Sequence, residues 1–202
     1  MNFLSVLFLL FSSEAKAEDS SWVFEPRLRF AVTGESWKEE ALAQIYKSTH
    51  IFPMGGISLK FHKNMVFDLD SAFYKLDGNL GLTEFKMQPV YTGGAFLFSQ
   101  GKIETYVGVG ANFVSWVETS PDESLKGTKL GTEARMGIRI ASNYTSTFFY
   151  PPEQYGPNPR ETVAIKGIDF EVGLAQRFHH IKAQDGLNLG AFRFIFGMQV
   201  RM

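Results

Sequence analysis

The chain of 202 residues contains no cysteine. This absence excludes disulfide frameworks, thiolate metal sites, thiol nucleophiles and the lipidated cysteine of a lipoprotein. An excess of charge of one sign is also missing, because 20 Lys and Arg residues stand against 21 Asp and Glu residues. Since no basic stripe runs along the chain, we expect no nucleic-acid partner.

Long hydrophobic runs are missing as well. The apolar stretch from Phe3 to Phe11 spans about nine residues, whereas a transmembrane helix needs about 20. Ala15-Lys16-Ala17 follows it with the small-x-small pattern of a signal-peptidase site. We interpret residues 1–17 as a signal peptide and expect residues 18–202 to form one domain in a Gram-negative cell envelope.

Aromatic residues and glycine are abundant, with 20 Phe, 7 Tyr, 3 Trp and 19 Gly. The apolar residues recur with a period of two, which is typical of β-strands because successive side chains point to opposite faces. At the C-terminus, Phe192, Phe194 and Phe196 alternate with small or polar residues. The pattern predicts eight strands, at about 21–33, 50–62, 65–77, 84–98, 102–117, 129–141, 163–178 and 188–202.

These lengths indicate a membrane protein. Most of the predicted strands have 10 to 16 residues, against the usual five or six of soluble sheets. A transmembrane strand needs about 9 to 11 residues, and eight strands close a small barrel. We therefore predict an all-β fold, a closed antiparallel transmembrane β-barrel with up-and-down order.

The volume of the barrel decides which face is inside. The interior of an eight-stranded barrel has little room beyond its own side chains, so we expect the aromatic faces to point outward and the faces with Gly94, Gly108, Gly110, Gly137, Gly173 and Gly197 to point inward. On strand 84–98 this assignment places Phe85, Met87, Pro89, Tyr91, Ala95 and Leu97 outside.

The faces assigned to the interior also carry charges of both signs. Their acidic residues are Glu25, Asp68, Asp70, Glu104, Glu133, Asp169 and Glu171. Their basic residues are Arg27, Arg29, Lys60, Lys86, Arg135, Arg139, Arg177, Arg193 and Arg201. Such charges are tolerated inside when they pair, so we predict an ion-pair network that plugs the lumen and leaves no wide pore.

The connections leave two questions open. Segment 34–49 has helical spacing at Trp37, Ala41 and Ile45, which indicates either a short amphipathic helix or a solvated loop. Segment 142–162 is rich in proline, and Thr145 to Tyr150 is either part of that loop or an extra strand that changes the strand count. Residues 78–83, 118–128 and 179–187 are expected to form longer loops, and residues 63–64 and 99–101 tight turns.

One hairpin resembles a known family. In segment 87–116, the strand Tyr106-Val107-Gly108-Val109-Gly110-Ala111-Asn112-Phe113 is similar to a strand of OmpW-like outer-membrane proteins, and segment 56–73 resembles a hairpin of small eight-stranded barrels in general. The chain departs from that pattern in ending on Met202 rather than on an aromatic residue, and in having a further strand after Phe178. The resemblance implies an integral outer-membrane protein, in some relatives associated with passage of small hydrophobic compounds.

The sequence therefore favours a non-enzymatic outer-membrane barrel with a structural, surface-interaction or small-hydrophobe transport role. Expected partners are outer-membrane lipids, lipopolysaccharide, the barrel assembly machinery and a small hydrophobic solute. Two alternatives remain open: a soluble periplasmic barrel or sandwich that binds an apolar ligand, and a lipid-modifying enzyme of the outer membrane.

Candidates for chemistry are few. His50 and the pair His179-His180 lie at predicted strand ends without a recognisable Ser-His-acid spacing. Asp68 and Asp70 share a face and suggest either a carboxylate pair, a cation site or ion pairs, of which ion pairing is the preferred interpretation. We predict no catalytic, cofactor-binding or metal-binding residue and no cofactor.

Overall fold

The structure, a computed structural model, describes residues 22–78, 81–142, 146–147, 164–178 and 189–202. The predicted signal peptide, the pair His179-His180 and most of the proline-rich connection lie outside these ranges. No helix within them is long and apolar enough to cross a membrane.

One helix and eleven strands are present in the described ranges. In chain order they are β1 (Trp22–Trp37), α1 (Glu40–Tyr46), β2 (Thr49–His62), β3 (Met65–Ala72), β4 (Tyr74–Asp77), β5 (Glu84–Gln100), β6 (Ile103–Thr119), β7 (Ser124–Ala141), β8 (Ser146–Thr147), β9 (Ala164–Ile165), β10 (Gly167–Phe178) and β11 (Ala191–Arg201).

The strands close into an antiparallel barrel with eight positions around its wall. We call each position a stave; seven staves are single strands and one consists of two short strands. Each of β2, β3, β5, β6, β7, β10 and β11 pairs with the neighbours that precede and follow it around the wall, and β1 pairs with both β2 and β11. β3 and the short β4 form one stave, interrupted at Phe73, and both pair with β5. The predicted closed barrel with up-and-down order is confirmed.

Several element boundaries differ from the predictions. β1 continues to Trp37, and the predicted loop 118–128 shrinks to a four-residue connection in which the Ser120 amide donates to the Glu123 carbonyl. The predicted amphipathic segment contains helix α1, but its buried residues are Leu42 and Tyr46, whereas Ile45 is exposed. Trp37 belongs to β1 rather than to the helix.

The question of an extra strand is answered for residues 146–147, the part of segment 145–150 that the structure describes. Ser146–Thr147 pairs with Ala164–Ile165 in a separate two-stranded sheet. Because this pair does not join the barrel ladder, the wall keeps eight staves. The tight turns at Lys63-Asn64 and Gly101-Lys102 lie at the same end of the barrel as this small sheet, which we call the turn end. The opposite end carries α1 and is called the helix end.

The two faces of the wall follow the predicted order on seven staves. Large apolar side chains point outward, including Phe30, Phe170 and Phe196, and Ile51 is 78% exposed. The predicted charged residues point inward and are shielded, with Arg29 only 1% exposed. Alternation inside a closed sheet makes every second side chain part of the core.

Strand β5 is the exception, and its assignment was wrong. Phe85, Met87, Pro89, Tyr91, Ala95 and Leu97 are buried inside, whereas Lys86 is exposed on the outer face, and so is Gly94. The inner residues of β5 are needed to fill the lumen, because the helix end has a core of aromatic rings rather than of charges. Lys86 therefore takes no part in the interior network.

Candidate functional site

The lumen is the candidate functional site, and its contents fall into three layers. Side chains from every stave enter it, and at the helix end the rings form an aromatic cluster. We define this cluster as Trp37, Phe52, Tyr74, Phe85 and Trp116 together with Leu42 and Tyr46 of α1.

The aromatic cluster closes the helix end. Phe85 occupies its centre, with ring centroids 5.6 Å from Trp37, 5.4 Å from Tyr46 and 6.0 Å from Trp116. Phe52 stacks on Tyr74 at 4.1 Å. Offset and edge contacts of this kind add stability to the burial of the rings. The helix is held over the cluster by the Tyr46 hydroxyl, which donates to Glu118 Oε1 at 2.6 Å.

His50 belongs to this layer. Its ring centroid lies 4.8 Å from Trp37, and its Nε2 is 3.0 Å from the Lys47 carbonyl oxygen. The side chain is buried. Packing against Trp37 and bonding to backbone account for its position.

The middle layer is a central ion-pair network. Its members are buried carboxylates and guanidinium groups from five strands: Arg29, Glu35, Asp70, Glu133, Arg135, Glu171, Arg177 and Arg193. Glu35 accepts from Arg177 Nη2 at 2.6 Å and from Arg193 Nε at 2.8 Å, and Trp37 Nε1 donates to it at 2.7 Å. These bonds join the network to the aromatic cluster.

The network continues across the lumen through shared partners. Arg193 also reaches Glu133 Oε2 at 3.0 Å, and Glu133 accepts from Arg135 Nε at 2.6 Å. Asp70 accepts from both Arg135 and Arg29. Arg29 then donates to Glu171 through Nε at 2.8 Å and Nη2 at 2.5 Å. Each buried charge thus has an opposite charge, which such a low-dielectric interior requires.

The third layer lies toward the turn end. Arg27 donates to Glu25 at 2.7 Å and to Glu104 at 3.2 Å, and Lys60 Nζ lies 2.7 Å from Glu104. Arg201 Nε lies 3.1 Å from Asp169 Oδ1. Glu25, Lys60, Glu104 and Arg201 keep partial contact with solvent, whereas Arg27 and Asp169 are buried. The lumen is therefore wetter here than at the helix end.

The predicted pair Asp68 and Asp70 is used for ion pairing, as preferred above. Asp68 accepts from Ser58 and lies 3.6 Å from Arg139 Nη2, and Arg139 stacks over the Tyr106 ring at 4.6 Å. Among the described residues there is no cluster of three His, Asp or Glu side chains placed to hold a metal.

Sequence reasoning missed Glu35 and the aromatic cluster. The alternation of β1 continues through Thr33, Glu35 and Trp37, but Gly34 indicates the start of a loop. The signal for Glu35 was therefore the period of two, which continues to Trp37. For the cluster no local signal existed, because its rings come from staves far apart in sequence.

Two concavities lie on the outside of the wall. One, of about 560 Å³, lies at the helix end between the connection that precedes β5 and the turn between β6 and β7. The other, of about 440 Å³, lies lower on the wall over β2, β3 and β5 and is lined by Gly55, Ile57, Leu69 and Val90.

Comparison with protein-family models and with curated proteins gives no match. Solved structures of similar architecture do exist. The chain is similar to neisserial surface protein A, with 12% identity over 89% of this chain and 96% of that one and a TM-score of 0.51. It is similar to Ail of Yersinia pestis in complex with the heparin analogue sucrose octasulfate, with 10% identity, coverage of 89% and 99%, and a TM-score of 0.53.

A third similar structure is the N-terminal β-barrel domain of Pseudomonas aeruginosa OprF, with 9% identity, coverage of 89% and 100%, and a TM-score of 0.51. At this identity the likeness concerns the fold. All three are eight-stranded barrels of the outer membrane, and the chain shares their architecture over most of its length.

Proposed function

We propose that this chain is an integral outer-membrane β-barrel protein, exported by residues 1–17, with a plugged lumen and a structural or surface-interaction role. The observation that carries this proposal is the order of the two faces. Guanidinium and carboxylate groups are buried inside, while large apolar side chains cover the outside. A soluble barrel requires the reverse, so this order argues against the apolar-ligand alternative.

The orientation follows from the connections. Outer-membrane barrels have short turns on the periplasmic side and longer external loops. The two tight turns lie at the turn end, and so do the first residue of β1 and the last residue of β11. The helix end, with α1 over the aromatic cluster, is therefore the external end in this proposal.

The biological role is less closely specified than the fold. The fold neighbours include a surface protein and an attachment invasion locus protein, which supports surface interaction. Passage of a small hydrophobic solute and membership of the OmpW-like group remain proposals that rest on the hairpin 87–116. Catalysis is not proposed, because the charged lumen residues are engaged with one another.

The test is the location and electrophoretic behaviour of the full chain in a Gram-negative host. We expect it in the outer-membrane fraction, migrating differently in unboiled and boiled samples. The matched variants are Phe196→Arg in the middle of the outer apolar band and Thr128→Arg near the helix end. A charge at the bilayer midplane costs about 2 to 4 kcal/mol and little near the interface.

We therefore expect Phe196→Arg to lower the folded, heat-modifiable fraction and Thr128→Arg to leave it unchanged. Recovery of the wild-type chain in the soluble periplasm, together with equal behaviour of the two variants, would contradict the proposal. The alternative of an apolar-ligand barrel would then be favoured.

A further inference from the structure

The wall of the barrel has a gap in its backbone hydrogen bonding near the helix end. β2 pairs with β3 from Met54 to His62, but on this side its first residues, 49–53, pair with no strand in the part of the chain that the structure describes. β4, which continues the stave of β3, pairs with β5 alone among the described strands. The backbones of β2 and β4 also stay farther apart than those of paired strands. We call this gap the seam.

Prolines lie on both sides of the point where the seam begins. Continuing the register of β2 and β3 by one residue places Pro53 opposite Phe73, and continuing that of β5 and β3 places Pro89 opposite Ala72. A proline has no N–H group to donate to a ladder. The residues at the break between β3 and β4 therefore receive no hydrogen bond from either proline. The sequence itself favours the interruption.

Two aromatic side chains close the seam from the inside. Phe52 of β2 and Tyr74 of β4 are both buried, and their rings stack with centroids 4.1 Å apart. The Tyr74 hydroxyl donates to Glu35 Oε1 at 3.0 Å, which holds its ring over the lumen. Side-chain rotation breaks such a stack without unfolding a strand, and rotamer changes are far faster than strand opening. We call Phe52 and Tyr74 the shutter.

The seam has apolar surroundings on both sides of the wall. On the outside, Ile51 is 78% exposed and Phe73 is 61% exposed. On the inside lie the rings of the aromatic cluster, including Phe85 and Trp37. A charged group is costly to transfer between two apolar environments, whereas an apolar group is not. An opening at the seam therefore suits an uncharged, apolar molecule.

We propose that rotation of the shutter opens a lateral passage through the seam, between the outside of the wall and the aromatic cluster, and that uncharged apolar groups enter by it. The passage crosses the wall near the helix end, so the central ion-pair network still plugs the lumen. The inference rests on the proposed function, because the surroundings of the wall must be lipid for apolar groups to reach the seam.

The test measures tryptophan fluorescence of the folded mature barrel in vesicles of lipids with brominated acyl chains, which quench tryptophan on contact. Trp22→Phe serves as the parent protein, because Trp22 is 73% exposed, whereas Trp37 and Trp116 are each 6% exposed. We expect Phe52→Ala in this parent to increase the quenching severalfold. The control Val114→Ala removes a buried side chain of the same core from the fully paired strand β6 and should leave the quenching unchanged.

A chemical bridge across the seam tests the route itself. The chain has no cysteine, so Ile51→Cys/Lys75→Cys, one on each side of the seam, can be joined by a short bifunctional maleimide. We expect the bridge to return the quenching of Phe52→Ala to the level of the parent protein. The control pair Ser115→Cys/Thr128→Cys replaces neighbours on β6 and β7 whose hydroxyl oxygens are 3.3 Å apart, and its bridge should change nothing.

Three results would overturn the inference. Equal quenching in Phe52→Ala and Val114→Ala would mean that any loss of packing exposes the cluster. Quenching that persists after the seam is bridged would place the route elsewhere in the wall. Tyr74→Phe is a milder variant that keeps the ring and loses the bond to Glu35, so we expect a smaller increase, and no increase would count against the shutter. Each result leaves the proposed function standing, because that is decided separately by membrane location and by Phe196→Arg.

Discussion

Glu35 connects the aromatic cluster to the central ion-pair network, so its substitution should destabilise both layers of the lumen. Glu35→Gln preserves the shape of the side chain but removes the negative charge between Arg177 and Arg193. Breaking a buried pair from one side costs about 3 kcal/mol or more, because the remaining charge stays buried. We expect a loss of that size in the free energy of unfolding, measured by urea titration in lipid vesicles with tryptophan fluorescence.

The matched control is Glu123→Gln in the exposed turn between β6 and β7. Surface substitutions of this kind change stability by less than about 0.5 kcal/mol. Equal effects of the two substitutions would show that Glu35 is not held as the structure describes.

Gly137 illustrates a close approach between strands inside the lumen. A Cβ at this position would clash with the Val172 carbonyl oxygen and would lie 2.8 Å from a Tyr106 ring carbon. Because the first of these atoms belongs to backbone, Gly137→Ala should lower the free energy of unfolding by about 1 to 3 kcal/mol. Gly55→Ala, an outward position with open space, should be neutral or slightly stabilising in the same urea titration.

At the scale of elements, the hydrogen bond from Tyr46 to Glu118 holds helix α1 over the barrel end together with burial. Burial and the bond to Glu118 raise the pKa of Tyr46 to about 12. A raised pKa means that the protonated tyrosine is the form the fold stabilises, so this contribution is complete below about pH 10. It is lost as the pH rises toward about 12.

We therefore expect the melting temperature of the wild-type chain to fall more steeply than that of Tyr46→Phe between about pH 10 and 12. At neutral pH, Tyr46→Phe should lower the free energy of unfolding by about 1.5 to 3 kcal/mol, since the acceptor is charged. Ile45→Ala, on the exposed side of the same helix, should retain the wild-type pH profile. Parallel profiles for the wild type and Tyr46→Phe would contradict the assigned bond.

The elements also show which parts of the fold a sequence can predict. The period of two predicts the position of the staves with charges on one face, such as β7 with Glu133, Arg135 and Arg139, and the limited volume of the interior predicts their orientation. β5 was inverted because Lys86 and Phe85 give the same alternation in either orientation. What decides between them is whether rings from Trp37 and Trp116 already line the helix end, and that is a property of distant staves.

At the scale of the whole molecule, the lumen contains two different seals arranged one after the other. The aromatic cluster excludes water by apolar packing, and the central network fills the cross-section with paired charges. Sequence reasoning found the second seal and missed the first. Two barriers in series block passage as long as either remains, so removing one should have little effect on conductance.

This arrangement gives a prediction for planar bilayers. Phe85→Ala/Trp116→Ala should open the aromatic cluster, and Arg29→Ala/Glu171→Ala should thin the network while removing both partners of an ion pair, which is tolerated better than removing one. We expect either double variant, like the wild type, to show no stable open channel. The quadruple variant should show discrete conductance steps, because the layer that remains, at the turn end, includes the partly exposed side chains of Lys60, Glu104 and Arg201.

All four proteins must first show the heat-dependent mobility shift of a folded barrel, so that a leak through misfolded chains is not counted. Conductance in the Phe85→Ala/Trp116→Ala variant alone would mean that the central network is permeable and that the aromatic cluster is the sole barrier. Conductance in Arg29→Ala/Glu171→Ala alone would assign that role to the network. Only the requirement for both changes is consistent with two seals in series, since each layer spans the full cross-section of the lumen.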